Sequence, residues 1–247
     1  MHGIGSFTRA GFKLYFREPV GLFFTLAFPA LLVLLFGAIY GNKPTALFGG
    51  YGSMDISMPG YTAMILGTVG LFSIPITIST YRETGVLHRL KATPLRPLTF
   101  ITSDLITNLS ITLLGMLGVI LLGWLLYRVR FEGNVILYIL AVIFSGVTMA
   151  SFGYLIASVA PSARSAQVIG MVIFYPMLFL SGAGYPLEVL PESIRRISNY
   201  LPLTYVVRLL RGAWFGKPIK ELWLPILVLT IILVICSLLA TRFFRWE

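Results

Sequence analysis

Asp104, Asn108 and Thr112 recur at intervals of four in an otherwise apolar run, so a helix carries them on one face. A carboxylate, an amide and a hydroxyl in such a strip could line a polar pathway. They could equally hydrogen-bond to a neighbouring helix, and a negative charge near a helix start is favoured in any case. Residues for other chemistry are scarce. His2 and His88 are the two histidines and Cys236 the one cysteine, too scattered for a zinc site or a nucleophilic triad. No catalytic residue and no metal ligand is therefore assigned, and Cys236, inside an apolar run, reads as a small buried hydrophobe. The stretch GAWFGKP comes nearest to a phosphate-binding loop, but its spacing is wrong and proline stands where a magnesium-binding hydroxyl is needed. The chain is not expected to hydrolyse nucleotide.

Charge is densest in YRETGVLHRLKATPLRP, Tyr81–Pro97, which holds Arg82, Glu83, His88, Arg89, Lys91 and Arg96. As a helix it places Glu83, Leu87 and Leu90 along one face, with Arg82 and Arg89 beside them. Pro94 stops that helix and Pro97 restarts the chain. Such a connection is either simply solvated or a short amphipathic surface offered to another protein.

The elements that position these residues follow from composition. Of 247 residues, 57% are hydrophobic and 11% charged, where a soluble domain carries about 25% charged. The fold expected is an all-α polytopic membrane protein, one domain over 1–247, with spans near 20–41, 59–81, 100–127, 135–159, 166–183 and 222–241. The fifth is short, contains Pro176 and is followed by Gly182 and Gly184, so it is expected to break or turn back. After it, 183–200 is expected to dip toward the membrane and shield Leu187, Val189, Leu190 and Ile194. Gly146, Ala150, Gly153 and Ala157 give the fourth span a small-residue face for close helix packing.

The net charge of +10 sits mainly between the apolar runs. It therefore reads as orientation signal and lipid contact, with no nucleic acid as partner. Arg82, Arg89, Lys91, Arg96 and Arg164 fall on the same side as the N-terminal Arg9, Lys13 and Arg17 and the C-terminal Arg242 and Arg245; Lys43, Arg128 and Arg130 fall opposite, as do Arg195, Arg196, Arg208, Arg211, Lys217 and Lys220 in the longer connection 184–221, where the rule binds less strictly. Both termini are thus expected to be cytoplasmic, in a cell (inner, cytoplasmic) membrane. The first nineteen residues are not expected to be a cleaved leader. Arg9, Lys13 and Arg17 at i, i+4, i+8, with Phe7, Leu14 and Tyr15 on another face, make an interfacial amphipathic helix, or else a basic leader without fixed structure.

Tyr81–Pro97 resembles the first cytoplasmic loop of ABC transporter permeases of the type-2 exporter class, through Arg82, Glu83, Gly85, Leu87, Leu90, Thr93, Pro94 and Pro97. The stretch LSGAGYPLEVLPESIRRISNYLPLTYVVRLLRG resembles the same family's segment between the last two spans, through Ser181, Gly182, Pro186, Leu190, Pro191, Pro202, Leu203, Tyr205 and Arg211. With the N-terminal helix and six spans in order, the resemblance covers nearly the whole chain.

It implies an export permease working as a homodimer or related heterodimer, embedded in lipid and driven by two copies of a separate ATPase subunit. ATP and magnesium belong on that partner, and this chain is expected to bind no cofactor. The resemblance assigns Arg82, Glu83, Gly85, Leu87, Leu90 and Pro94 to a coupling helix that docks on the ATPase. It assigns a second, smaller contact to the turn at Pro161 and Arg164, with the N-terminal helix packed nearby. Gly182, Pro186, Leu190 and Pro191 are assigned to re-entrant outer helices that close the pathway. His88 departs from the usual pattern and leaves open whether docking senses pH. Aromatic-rich, nearly uncharged spans suit an amphipathic drug, lipid, peptide or glycan. An ion-coupled carrier or channel rests on Asp104 alone, and a lipid-active enzyme lacks a catalytic group.

Overall fold

The computed structural model describes residues 2–16, 19–91 and 97–243. Every regular element among them is helical. Six helices are long and apolar enough to cross a membrane: Phe23–Tyr40, Ser53–Glu83, Thr99–Tyr127, Val135–Val159, Ala163–Leu180 and Trp223–Phe243, here spans 1 to 6. The N-terminal helix His2–Tyr15 packs on span 3 and marks the near side of the bundle; the turns after spans 1, 3 and 5 mark the far side. Arg9, Lys13 and Leu14 on that helix are exposed while Tyr15 is buried, its hydroxyl 2.5 Å from Thr25 Oγ1. Leu14 thus lies on the exposed side with the basic residues, and Arg17 falls outside the described residues.

Span 2 is the centre. Of its most apolar window 83% is buried, against 22–44% for the other five spans, because spans 3, 4 and 5 and the helix Pro202–Trp214 all pack around it. It starts at Ser53, earlier than the apolar run suggests, and continues through Pro59. Span 5 likewise runs unbroken through Pro176 to Leu180.

Spans 1 and 2 share a device that periodicity does not reveal. Each contains a five-residue π turn, Phe23–Ala27 and Val69–Ser73, followed by a proline, Pro29 and Pro75. In span 2 the Ile74 N–H reaches back to Val69 O, and Pro75 has no N–H to give, so the ladder is short of donors around Gly70 and Leu71. Neighbouring helices press glycines against these open carbonyls. A Cβ at Gly153 of span 4 would lie 2.1 Å from Gly70 O, and one at Gly170 of span 5 would lie 2.2 Å from Leu71 O. In span 1 the Phe28 N–H reaches Phe23 O, and a Cβ at Gly115 of span 3 would stand 3.1 Å from Thr25 O. The small-residue face of span 4 is therefore a seam within this chain. Ala150 and Ala157 on it are buried with Val69, Ile74 and Ile78.

On the far side, Pro202–Trp214 is the buried connection. Its Leu203, Val206, Leu209, Leu210 and Trp214 join the main core. A Cβ on Gly67 would lie 3.4 Å from Leu203 Cδ1. At roughly 1.5 Å per residue, Gly67 stands about 21 Å along span 2 from Ser53. The other end returns to the far turn, where Trp214 Nε1 donates to Arg130 O at 2.8 Å. Of the residues in 183–200 expected to be shielded, Leu187, Leu190 and Ile194 are half-buried and Val189 is exposed. Gly182 lies at φ +89°, and its carbonyl oxygen would be 2.8 Å from a Cβ on Gly60, so this backbone too is seated on span 2. Pro186 leads into a short turn of helix at Leu187–Val189, whose Glu188 pairs with Arg211 at 2.5 Å.

Candidate functional site: the near-side corner

Span 2 ends at Glu83, and Gly85 makes the turn. Its φ of +69° lies in the left-handed region where a side chain costs energy, and its Cβ position is open space within this chain. Glycine is thus required here by backbone conformation. The helix Val86–Lys91 follows, with Arg89 N–H donating to Gly85 O at 3.1 Å. Leu87, which the resemblance places on the docking helix, is fully buried inside the chain, so its side chain has no surface to give a partner. Among the described side chains of this corner, Glu83, Thr84 and Arg89 are exposed. The side chains of His88 and Leu90, and all of Thr93, Pro94 and Arg96, lie outside the described residues.

The loop's charges serve open helix ends. Arg82 reaches the end of span 4, its guanidinium donating to Ala157 O at 3.1 Å and to Ala160 O. Ala157 O needs this donor because the residue four positions on, Pro161, has no N–H. Glu83 reaches the start of span 5, where its Oε1 accepts from Ala163 N–H at 3.1 Å. The Ser165 amide in the same first turn is covered locally, since Ser162 Oγ accepts from it. Arg89 donates to Thr84 O at 3.1 Å, capping the end of span 2. In each case the sign suits the helix end, cations on C-terminal carbonyls and an anion on an N-terminal amide. The 160–162 turn leaves Pro161 and Arg164 exposed, beside the loop.

Next to this corner, a cleft of about 320 Å³ opens between the N-terminal helix and spans 2 and 3, lined by Tyr15, Thr77, Thr80, Asp104, Thr107 and Asn108 among others. Asp104 Oδ2 accepts from the Tyr154 hydroxyl of span 4 at 2.7 Å. Asn108 Nδ2 donates to Asp104 O and Thr112 Oγ1 to Asn108 O, both at 2.9 Å. Asp104 thus bridges helices and also faces the cleft, as Asn108 does, while Thr112 is buried. Gly11 lets the N-terminal helix approach: a Cβ there would be 2.9 Å from Thr107 Oγ1.

A second span carboxylate, missed in the sequence because the apolar run begins later, is Asp55 at the far end of span 2. It is 2% exposed and accepts from Asn42 Nδ2 (2.9 Å), Arg130 N–H (2.9 Å) and Gly52 N–H (3.0 Å). Asn42 also accepts from Met54 and Asp55 N–H and donates to Tyr127 O. The buried Asp55 and half-buried Asn42 therefore join the far ends of spans 1, 2 and 3. The one available signal was an acid three residues after a glycine at a helix start. Among the described residues no group of His, Cys, Asp and Glu is placed to hold a metal ion.

Comparison with known proteins follows the same outline. Nodulation protein J of Rhizobium leguminosarum bv. viciae is 37% identical over 111 residues, 44% of this chain and 43% of that one. The probable multidrug ABC transporter permease YbhR of Escherichia coli (strain K12) is 25% identical over 179 residues, 70% of this chain and 48% of that one. The putative transport permease ycf38 of Porphyra purpurea is 25% identical over 209 residues, 81% and 69% of the two chains. The chain spans less than half the length of the first two of these relatives. Residues 3–215 match the family described as ABC-2 type transporter, and the chain belongs to that family.

Proposed function

We propose that this chain is the membrane permease subunit of an ATP-driven exporter, working as a dimer with two copies of a separate ATPase subunit. ATP and magnesium sit on that subunit, and this chain supplies the passage. The observation that carries the reading is the near-side corner of an ABC-2 family member. There a glycine-hinged, charge-capped loop leaves Thr84 and Arg89 exposed beside the exposed Pro161 and Arg164. In this reading the near side is cytoplasmic, both termini are inside, and the protein resides in the cytoplasmic membrane with lipid around the apolar flanks of spans 1, 3, 4, 5 and 6. Arg82, Glu83, Gly85 and Leu87 shape the corner from within. Gly182, Pro186, Leu190 and the buried Pro202–Trp214 close the passage on the outside; the return of that helix from deep along span 2 supports a re-entrant role.

The substrate class is amphipathic: a drug, lipid, peptide or glycan. Aromatic contacts linking spans 1, 2 and 5, such as Phe24–Phe72 at 6.4 Å and Phe72–Phe174 at 5.2 Å, favour a molecule with apolar or stacking surface. The test is capture of the tagged chain from its own membranes. An ATPase with a phosphate-binding loop should co-purify, and its hydrolysis should rise with a transported amphiphile after reconstitution. Capture of the permease without any ATPase, under conditions that preserve the dimer, overturns the reading.

A further inference from the structure

Arg82 and Glu83 are adjacent residues in the last turn of span 2, and they grip opposite sides of one turn. Arg82 holds Ala157 O and Ala160 O at the end of span 4, and Glu83 holds Ala163 N–H at the start of span 5. The turn between is otherwise held by local bonds, Ala160 N–H to Ile156 O at 2.9 Å and Ala166 N–H to Ser162 O at 2.8 Å. Pro161 removes one backbone donor, and Ser162 and Ser165 bond to each other. The loop helix is fixed to the same place, because Arg89 folds back on Thr84 O and Leu87 is buried. We infer that Arg82 and Glu83 are positioning residues. They form a two-headed clamp that makes the loop after span 2 and the turn between spans 4 and 5 one mechanical unit. A load on either segment then reaches spans 2, 4 and 5 together, without contact between the two side chains and any partner. This inference rests on the coupling role proposed above for these segments.

The test separates the clamp from that role. In a Cys236→Ala background, nitroxides on Thr84→Cys and Arg164→Cys flank the bonded residues and report their separation through dipolar broadening. The wild-type pair should show strong, uniform broadening. Glu83→Ala should lose most of it, and Glu83→Gln should restore it, because a carboxamide oxygen still accepts from Ala163 N–H. Arg82→Lys, which offers a single nitrogen in place of the two that reach Ala157 O and Ala160 O, should fall between. In the reconstituted complex, Glu83→Ala should still capture the ATPase at the wild-type level, yet substrate-stimulated hydrolysis should fall about tenfold and recover in Glu83→Gln. Unchanged broadening in Glu83→Ala overturns the clamp, as does a Glu83→Gln spectrum no better than that of Glu83→Ala. Altered broadening with wild-type stimulation overturns its role in coupling. If Glu83→Ala does not fold, Glu83→Gln and Arg82→Lys still decide the matter by the same two readouts. If the wild type captures no ATPase, the proposed function fails while the spectra still judge the clamp.

Discussion

Replacing Gly153 by alanine would put a methyl carbon 2.1 Å from the Gly70 carbonyl oxygen, where ordinary contact begins at 3.4 Å. Spans 2 and 4 would have to part by the 1.3 Å between those distances at their crossing. The atom that must yield is backbone, and Gly70 has no slack, since a methyl on it would stand 2.6 Å from Met149 O. Overpacking of a tight core costs about 1–3 kcal/mol. With a backbone obstacle on both sides, the upper end applies: about 3 kcal/mol, roughly a hundredfold in the folding equilibrium. The control is Gly118→Ala in span 3, where nothing lies within 4 Å of the new methyl. That change should be neutral or stabilise by up to about 1 kcal/mol through helix propensity. Equilibrium unfolding in mixed micelles, followed by tryptophan fluorescence, measures both. If Gly153→Ala falls within about 0.5 kcal/mol of Gly118→Ala, the two helices are not in backbone contact and the account of the π turn collapses.

Two further substitutions probe the ends of span 2. Asp55→Ala removes the acceptor of three N–H groups at a buried site and should cost about 3–4 kcal/mol in the same unfolding assay; Asp55→Asn, which keeps one acceptor oxygen, should cost about half that. Equal stability of Asp55→Ala and wild type would mean the far-side network is solvated. At Gly85 the φ of +69° makes Gly85→Ala costly by about 1–2 kcal/mol, while Gly85→Asn should be milder because asparagine tolerates that region. Hydrogen exchange over 84–91 reads this directly, and identical exchange in both variants and wild type would refute the conformational reason for glycine.

Hydropathy made the six spans legible because each is apolar on average over at least 18 residues, and the family's two motifs made the loops recognisable. What escaped depended on partners far away in the chain. Asp104 meets Tyr154 fifty residues on, and Arg82 meets Ala157 seventy-five residues on. No local pattern encodes such pairs. Span 2 was drawn too short because Ser53, Asp55 and Ser57 look like a polar connection, whereas their polar groups are consumed by caps and by Asn42. Leu87 was placed on a face open to solvent or a partner because spacing alone does not tell such a face from one that meets the chain itself. The charged loop read as surface for the same reason: guanidinium and carboxylate groups that complete helix ends are indistinguishable, in one dimension, from groups that face water.

The burial of span 2 also bears on the order in which the protein is made. Among the helices that cover it, span 5 and Pro202–Trp214 come much later in the chain. The ribosome reaches Trp214 roughly 130 residues after Glu83, about 7–25 s at ~5–20 residues per second. During that interval a helix rich in hydroxyls waits among lipid tails. Ser57, Thr62 and Thr68 do not need neighbours meanwhile, since each donates to the carbonyl four residues back, Ser53, Met58 and Met64. Their polarity is settled within the helix before any partner arrives. The chain can therefore insert its central element second and assemble around it last, and an apolar substitution at these hydroxyls should leave the timing of insertion untouched.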